Sequence, residues 1–186
     1  MAVIRPLQRL VHAAVATGLV AFGAGCPLLE VDAELPEVCM TQKDVQIDGV
    51  PVDMAMAVDR TFTFDDLSAF APLEELDAEA HFVSATVRAT HGIDSLAFVE
   101  SASVEVASNA PESTLPTLTV YACDGDCLAQ DAALVIPVQD RSDALAYIRS
   151  GSLSIRLQTT GALPTEDWTM DVETCVAARA SYAFDP

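Results

Sequence analysis

The stretch Val83–Thr90, which reads VSATVRAT, decides the fold class. Apolar residues alternate one by one with polar residues along it, so an extended chain would place the two kinds on opposite faces. The apolar positions are Val83, Ala85, Val87 and Ala89. This period of two predicts a strand that is buried on one face and exposed on the other.

The same alternation recurs on both sides of this stretch. It is clearest at Ala102–Val106, Leu118–Val120, Leu153–Leu157 and Trp168–Val176, and weaker at Val45–Ile47, Val50–Val58 and Thr61–Phe64. Ala132–Val138 is a continuous apolar run, which is typical of a strand covered on both faces.

Helical patterns are few and lie between the predicted strands. In the first, Asp65 or Asp66 can cap a short helix, and the run Leu73–Ala80 behind Pro72 is rich in helix formers. In the second, Ser142 or Asp143 can cap a helix that ends before Gly151. A parallel α/β sheet would need a helix after nearly every strand. The pattern therefore predicts an all-β fold, an antiparallel β-sandwich of the immunoglobulin-like or jelly-roll-like kind, with two short helical insertions.

Composition narrows the classes of function. The chain has 186 residues with 9 Lys and Arg against 28 Asp and Glu, a net charge of −19. Binding to nucleic acid depends on clustered Lys and Arg, so this balance argues against a nucleic-acid partner. A hydrophobic content of 51% argues against a disordered chain.

The N-terminal segment has the layout of an export signal. Arg5 and Arg9 form a positive region, Ala13–Phe22 is uncharged and mostly apolar, and the small residues Gly23-Ala24-Gly25 precede Cys26. An ordinary secretory signal and a retained transmembrane anchor are the alternatives. Residues 10–29 contain no charged side chain, but three glycines and Pro27 interrupt them.

The residues around Cys26 resemble the lipobox of bacterial lipoproteins, with Gly23 at a position where the family usually has an aliphatic residue. The resemblance implies cleavage after Gly25 and attachment of lipid to the sulfur of Cys26. It covers residues 1–26 alone. We accordingly expect a signal peptide at residues 1–25, lipidated Cys26 with an acidic tether at residues 26–38, and a β-sandwich domain at residues 39–186.

Four cysteines remain: Cys39, Cys123, Cys127 and Cys175. An even number in an exported chain predicts disulfides. Of three pairings, the sequence favours Cys123–Cys127 across a tight hairpin and Cys39–Cys175 between the start of the domain and its last strand. A zinc site is the rival, but structural zinc sites usually need two close Cys/His pairs, and this chain has one.

Cys175 fits its predicted strand imperfectly. It shares a face with Asp171 and Glu173, the face expected to meet solvent. Either its disulfide lies on the outside of the sheet, or a β-bulge shifts the register.

Asp124 and Asp126 flank Gly125 and supply the oxygen ligands that calcium prefers. The spacing is not that of an EF-hand loop, and a disulfide-bound turn explains the same residues. A calcium or ligand site here is therefore the alternative to a purely structural turn.

Patterns for catalysis are weak. His91 lies near Asp94, but the chain has no G-x-S-x-G motif, and paired acids are expected by chance among 28. We predict that the protein is not an enzyme and needs no cofactor; an envelope hydrolase ranks third.

The predicted function is that of an exported lipoprotein of the bacterial cell envelope with a non-catalytic structural or interaction role. Its partners would be the membrane, through the lipid on Cys26, and an envelope protein or glycan. Pro27 rather than Asp follows Cys26, which favours the outer over the inner membrane.

Overall fold

A computed structural model describes residues 29–50, 55–71, 78–125, 127–140 and 143–184. Strand is the dominant element in these ranges. The strands are β1 (Leu29–Ile47), β2 (Ala55–Phe64), β3 (Ala78–His91), β4 (Val99–Ser108), β5 (Leu118–Asp124), β6 (Leu128–Gln130), β7 (Ala133–Ile136), β8 (Leu153–Ala162) and β9 (Trp168–Phe184). A 3₁₀ turn covers Ser68–Phe70 and the helix α1 covers Ala144–Arg149.

The strands form two antiparallel sheets. Sheet A has the order β1-β9-β3-β7-β6, and sheet B has the order β2-β8-β4-β5. The pairs β1–β9, β2–β8, β3–β7 and β4–β5 are nested, as in one long antiparallel ribbon wound into two layers. This is the strand order of a jelly roll. The predicted all-β sandwich is confirmed.

The core lies between the sheets and follows the predicted alternation. In β4 and β8 the buried residues include Ala102, Val104, Val106, Leu153, Ile155 and Leu157. In β9 the buried residues on the inner face include Trp168, Met170, Val172, Thr174 and Val176. Because each inner face contributes every second residue, the outer faces carry the intervening polar side chains.

Two bulges change which residues are buried. β3 has a register shift between Phe82 and Ser84, so Phe82 is buried and Val83 is only half-buried. β5 has one at Val120, so both Val120 and Tyr121 are buried. The predicted alternation at Val83–Thr90 placed Val83 inside, and continuing the alternation of Leu118–Val120 would place Tyr121 outside. Both placements are wrong because a bulge reverses the parity of a strand.

The folded part begins earlier than predicted. β1 is described from Leu29, and Leu29–Leu35 pairs with Ala178–Phe184 of β9. The interpretation of residues 26–38 as a tether is therefore wrong from Leu29 onward. Leu29, Val31, Ala33 and Leu35 alternate with acids. That alternation is a strand pattern, and the acidic composition concealed it.

The predicted helix Leu73–Ala80 is wrong at its end, since Ala78–Ala80 belong to β3. Residues 72–77 lie outside the described part of the chain. Ala80 is fully buried against its partner Ala178 in β9, so sheet pairing overrides local helix propensity.

The second predicted helix is confirmed. In α1, Asp143 accepts a hydrogen bond from the backbone N–H of Leu145 at 2.9 Å, which caps the first turn. The earlier cap also has a structural counterpart, because Asp66 accepts from the N–H of Ser68 at the start of the 3₁₀ turn.

The apolar run Ala132–Val138 is covered on one face only. In β7, Leu134 and Ile136 are buried, whereas Val135 is 47% exposed beside its partner Leu128 in β6. The expectation of a strand covered on both faces is wrong, because no layer packs on the outside of sheet A within the described residues.

The sandwich closes on one side. Beyond β7 the chain crosses to sheet B, where Ala122 donates to Pro137 O and Gln139 donates to Val120 O. On the opposite side, β1 and β2 are the edge strands of their sheets.

Candidate functional site

Cys39 and Cys175 form a disulfide between directly opposed residues of β1 and β9, with 4.0 Å between their Cα atoms. Thr174 and Val176 on either side of Cys175 are buried in the core. Cys175 therefore points to the outer face of sheet A, where it is only 4% exposed beside Cys39 and Glu173. The neighbouring bulge is in β3 and leaves the parity of β9 unchanged.

The backbone at Cys175 is supported from the core side. Tyr121 donates its hydroxyl to Cys175 O at 3.4 Å and packs edge-to-face on Phe82, with ring centroids 6.4 Å apart. Burial raises the pKa of Tyr121 well above its usual range, so the phenol stays protonated and serves as a donor.

Glu173 lies beside the disulfide on the same face. It is two residues before Cys175 in β9, and its carboxylate accepts a hydrogen bond from Thr41 Oγ1 at 3.2 Å. The two sulfurs and a Glu173 oxygen all lie within 4.8 Å of one another. Cys39 and Glu173 are exposed to solvent, whereas Cys175 is buried. In the disulfide form the sulfurs are bonded to each other and do not serve as thiolate ligands.

Cys123 and Cys127 form the second disulfide, with Cα atoms 5.1 Å apart. β5 belongs to sheet B and β6 to sheet A, so this bond spans the crossing between the sheets. The predicted pairing is present, but the predicted tight hairpin is wrong. Gly125 takes a φ of 72°, which favours glycine, and donates its N–H to Glu100 O at 2.9 Å.

The calcium prediction concerns the same turn. Asp124 is exposed at the end of β5, and Asp126 lies outside the described residues. The two carboxylates are therefore not both described, and the calcium site stays a prediction. Cys26, the predicted lipid attachment point, likewise lies outside the described residues.

A charged cluster occupies the outer face of sheet B. Arg156 of β8 binds Asp59 of β2 through two guanidinium nitrogens and lies 3.5 Å from a carboxylate oxygen of Glu105 in β4. The hydrogen bond from Arg156 lowers the pKa of Asp59. The hydrogen bond to the Asp59 carboxylate in turn raises the pKa of Arg156. The side chains of Asp59 and Arg156 are each 44% exposed, so the pair contributes little to stability.

The sequence did not reveal this cluster. Asp59 and Arg156 are 97 residues apart, and only the β2–β8 register brings them together. A period-two pattern shows that both are outward-facing but does not identify the strand that lies next to each.

His91 ends β3 on the same sheet as the first disulfide. Its Nδ1 lies 3.2 Å from Thr169 Oγ1, and that hydroxyl is 2.7 Å from Thr90 Oγ1. These cross-strand hydrogen bonds give the polar side chains at this end of β3 and β9 a structural role.

An open cleft of about 200 Å³ lies between the end of β1 and β2. Its walls are mostly apolar and include Ile47, Val50, Val58 and Leu163, with Asp48 and Arg60 at the cleft as well. Residues 51–54, which connect the two walls, lie outside the described part of the chain.

Within the described ranges, no helix has both the length and the apolar character that a membrane span requires.

No protein-family model matches the chain, and no curated protein matches it. Among solved structures, it is similar to one of Desmodium yellow mottle tymovirus, with 12% identity over 92% of this chain and 98% of that one, at a TM-score of 0.26. It is also similar to one of Cocksfoot mottle virus, with 12% identity over 99% of this chain and 98% of that one, at a TM-score of 0.30. At these TM-scores the likeness supports no conclusion about function.

Proposed function

We propose that this chain is a lipid-anchored lipoprotein of the bacterial cell envelope whose β-sandwich has a non-catalytic structural or interaction role. The observation that carries the proposal is the layout of residues 1–26. A positive segment, an apolar segment and Gly23-Ala24-Gly25 lead directly to Cys26, the residue that takes the lipid in such proteins.

The disulfides support export. Each of the four cysteines after Cys26 is bonded to another, and such bonds persist in oxidising compartments such as the periplasm.

The start of β1 bears on how the domain would be held. Leu29 is the third residue after Cys26, so the chain between the lipid and the first strand reaches about 10 Å at most. An anchored domain would then lie close to the bilayer. Cleavage after Gly25 would leave seven bases against 28 acids, a net charge of −21, which disfavours binding to anionic lipid through the protein surface itself.

The proposal is tested by metabolic labelling in bacteria with an alkyne-tagged fatty acid. The unmodified chain is expected to incorporate the label and to sediment with membranes, whereas Cys26→Ala should lose both properties. Gly23→Leu is the matched control, since it supplies the residue that the family usually has and should retain or increase labelling. Undiminished labelling of Cys26→Ala would contradict the lipid anchor.

A further inference from the structure

The outer face of sheet A brings three metal-binding side chains together. Cys39 of β1 is directly opposite Cys175 of β9, and Glu173 precedes Cys175 by two residues on the same face. Their sulfur and oxygen atoms all lie within 4.8 Å of one another. Among the described residues, no other set of three His, Cys, Asp or Glu side chains has this closeness.

We propose that the reduced form of the protein binds one divalent cation of the zinc class through the thiolates of Cys39 and Cys175 and the carboxylate of Glu173. Zinc binds sulfur at about 2.3 Å and carboxylate oxygen at about 2.0–2.2 Å in a tetrahedral arrangement. Three ligands on one face of a sheet leave the fourth position open to water on the solvent side. The site is independent of the lipid anchor.

The geometry suits this ion because the backbone already holds the ligands. Opposed strands of β1 and β9 keep the two cysteine Cα atoms 4.0 Å apart, and pairing extends on both sides of them. Replacing the S–S bond by two bonds to one zinc ion requires the sulfurs to move apart, which rotation about the side chains can supply. Thr41 Oγ1 donates to Glu173 at 3.2 Å and orients the carboxylate, as partners of metal ligands do.

The two forms are related by a balanced exchange. A dithiol reductant gives two electrons and two protons to the Cys39–Cys175 bond and becomes a disulfide itself, leaving two thiols on the protein. Binding of the cation then releases the two thiol protons, because thiolates are the ligands. Oxidation by a disulfide removes two electrons, re-forms the bond and releases the cation. Metal would therefore be held only while this pair is reduced.

The experiment uses a Cys123→Ser/Cys127→Ser variant, in which the remaining disulfide is the one in the proposed site. This variant is reduced with a phosphine under anaerobic conditions and titrated with Co²⁺, followed by thiolate-to-metal absorption in the near ultraviolet. The expected result is one Co²⁺ per chain, displaced by Zn²⁺ and absent from the oxidised form. Adding Cys39→Ser should abolish the absorption.

Glu173→Gln in the same background tests the third ligand. It should weaken Co²⁺ binding by at least about tenfold, since even outer partners of metal ligands cost about 10–100-fold. Glu79→Gln, an exposed glutamate on β3 of the same sheet, is the matched control and should leave binding unchanged. Equal binding by the two glutamine variants would overturn the three-ligand site.

Circular dichroism of the same samples covers the case in which reduction unfolds the chain. A sheet that is lost on reduction and returns when Zn²⁺ is added supports the site, provided that Glu173→Gln weakens this recovery. A reduced chain that stays unfolded with Zn²⁺ present, or a folded one that binds no Co²⁺, overturns it.

Discussion

The buried hydroxyl of Thr174 lowers the stability of the core in which it lies. Its side chain is 1% exposed on the core face of β9, and its Oγ1 has no hydrogen-bond partner. Burial of an unpaired hydroxyl costs about 1–3 kcal/mol. We expect Thr174→Val, which has the same shape and a higher strand propensity, to raise the free energy of unfolding by about 1 kcal/mol in a denaturant titration.

Thr169 in the same strand is the control for this prediction. Its hydroxyl is 2.7 Å from Thr90 Oγ1 and 3.2 Å from His91 Nδ1. Thr169→Val should therefore lower the free energy of unfolding by about 1 kcal/mol, since it removes hydrogen bonds that are made. A destabilised Thr174→Val variant would show that its hydroxyl is satisfied in solution.

Cys175 marks the limit of prediction at the scale of a residue. Its place on the outer face follows from the alternation of β9, and its nearness to Glu173 follows from their spacing of two. Cys39 is 136 residues away, and nothing local to either residue identifies the other. The cysteine pair was predictable because only four cysteines follow Cys26 and pairing the close Cys123 and Cys127 leaves Cys39 for Cys175. A three-ligand cluster additionally requires the register of β1 on β9.

At the scale of elements, the strands were predictable where alternation is unbroken, as in β4, β8 and β9. The failures have physical causes. Ala78–Ala80 have helical propensity but pair with Arg179 and its neighbours in β9, and the burial of Ala80 outweighs that propensity. The bulges in β3 and β5 were not predictable, because each depends on how the partner strand is aligned.

The two disulfides should differ in their effect on stability. Cys39–Cys175 closes a loop with a separation of 136 residues, whereas Cys123–Cys127 closes one with a separation of 4. In the chain-entropy model the long loop contributes about 5 kcal/mol and the short loop about 2 kcal/mol. We expect the serine double variant of the first pair to lose about 3 kcal/mol more than that of the second in guanidinium unfolding.

The second disulfide has one feature that opposes this expectation. It joins Cys123 of β5 in sheet B to Cys127, the residue just before β6 of sheet A, at the crossing where Gly125 also donates its N–H to Glu100 O. Equal losses from the two double variants would mean that this crossing orders the sandwich beyond what loop closure contributes. Reducing one disulfide while the other stays intact leaves two free cysteines where the double variant has two serines. Comparing the two would separate the loss of the bond from the effect of the serine side chains.

At the scale of the whole molecule, the jelly roll is one ribbon whose pairings range from local to distant. Val106 pairs with Leu118 near the tip, a separation of 12 residues, whereas β1 and β9 pair across nearly the whole chain. The sequence predicted a sandwich because alternation reports burial of one face. It left open which of two sandwich types forms, because strand order depends on these distant pairings.

The same nesting predicts an order of folding. Closing the β1–β9 loop costs about 2 kcal/mol more entropy than closing the β4–β5 loop, so the tip should form before the ends. In a Cys39→Ser/Cys175→Ser background, Val104→Ala at the tip should mainly slow folding, and Met40→Ala in β1 should mainly speed unfolding. Both side chains are buried, so each loss is large enough to measure by stopped-flow in denaturant. If Met40→Ala slowed folding as much as Val104→Ala, β1 and β9 would already be paired in the transition state. Chain closure would then precede formation of the tip.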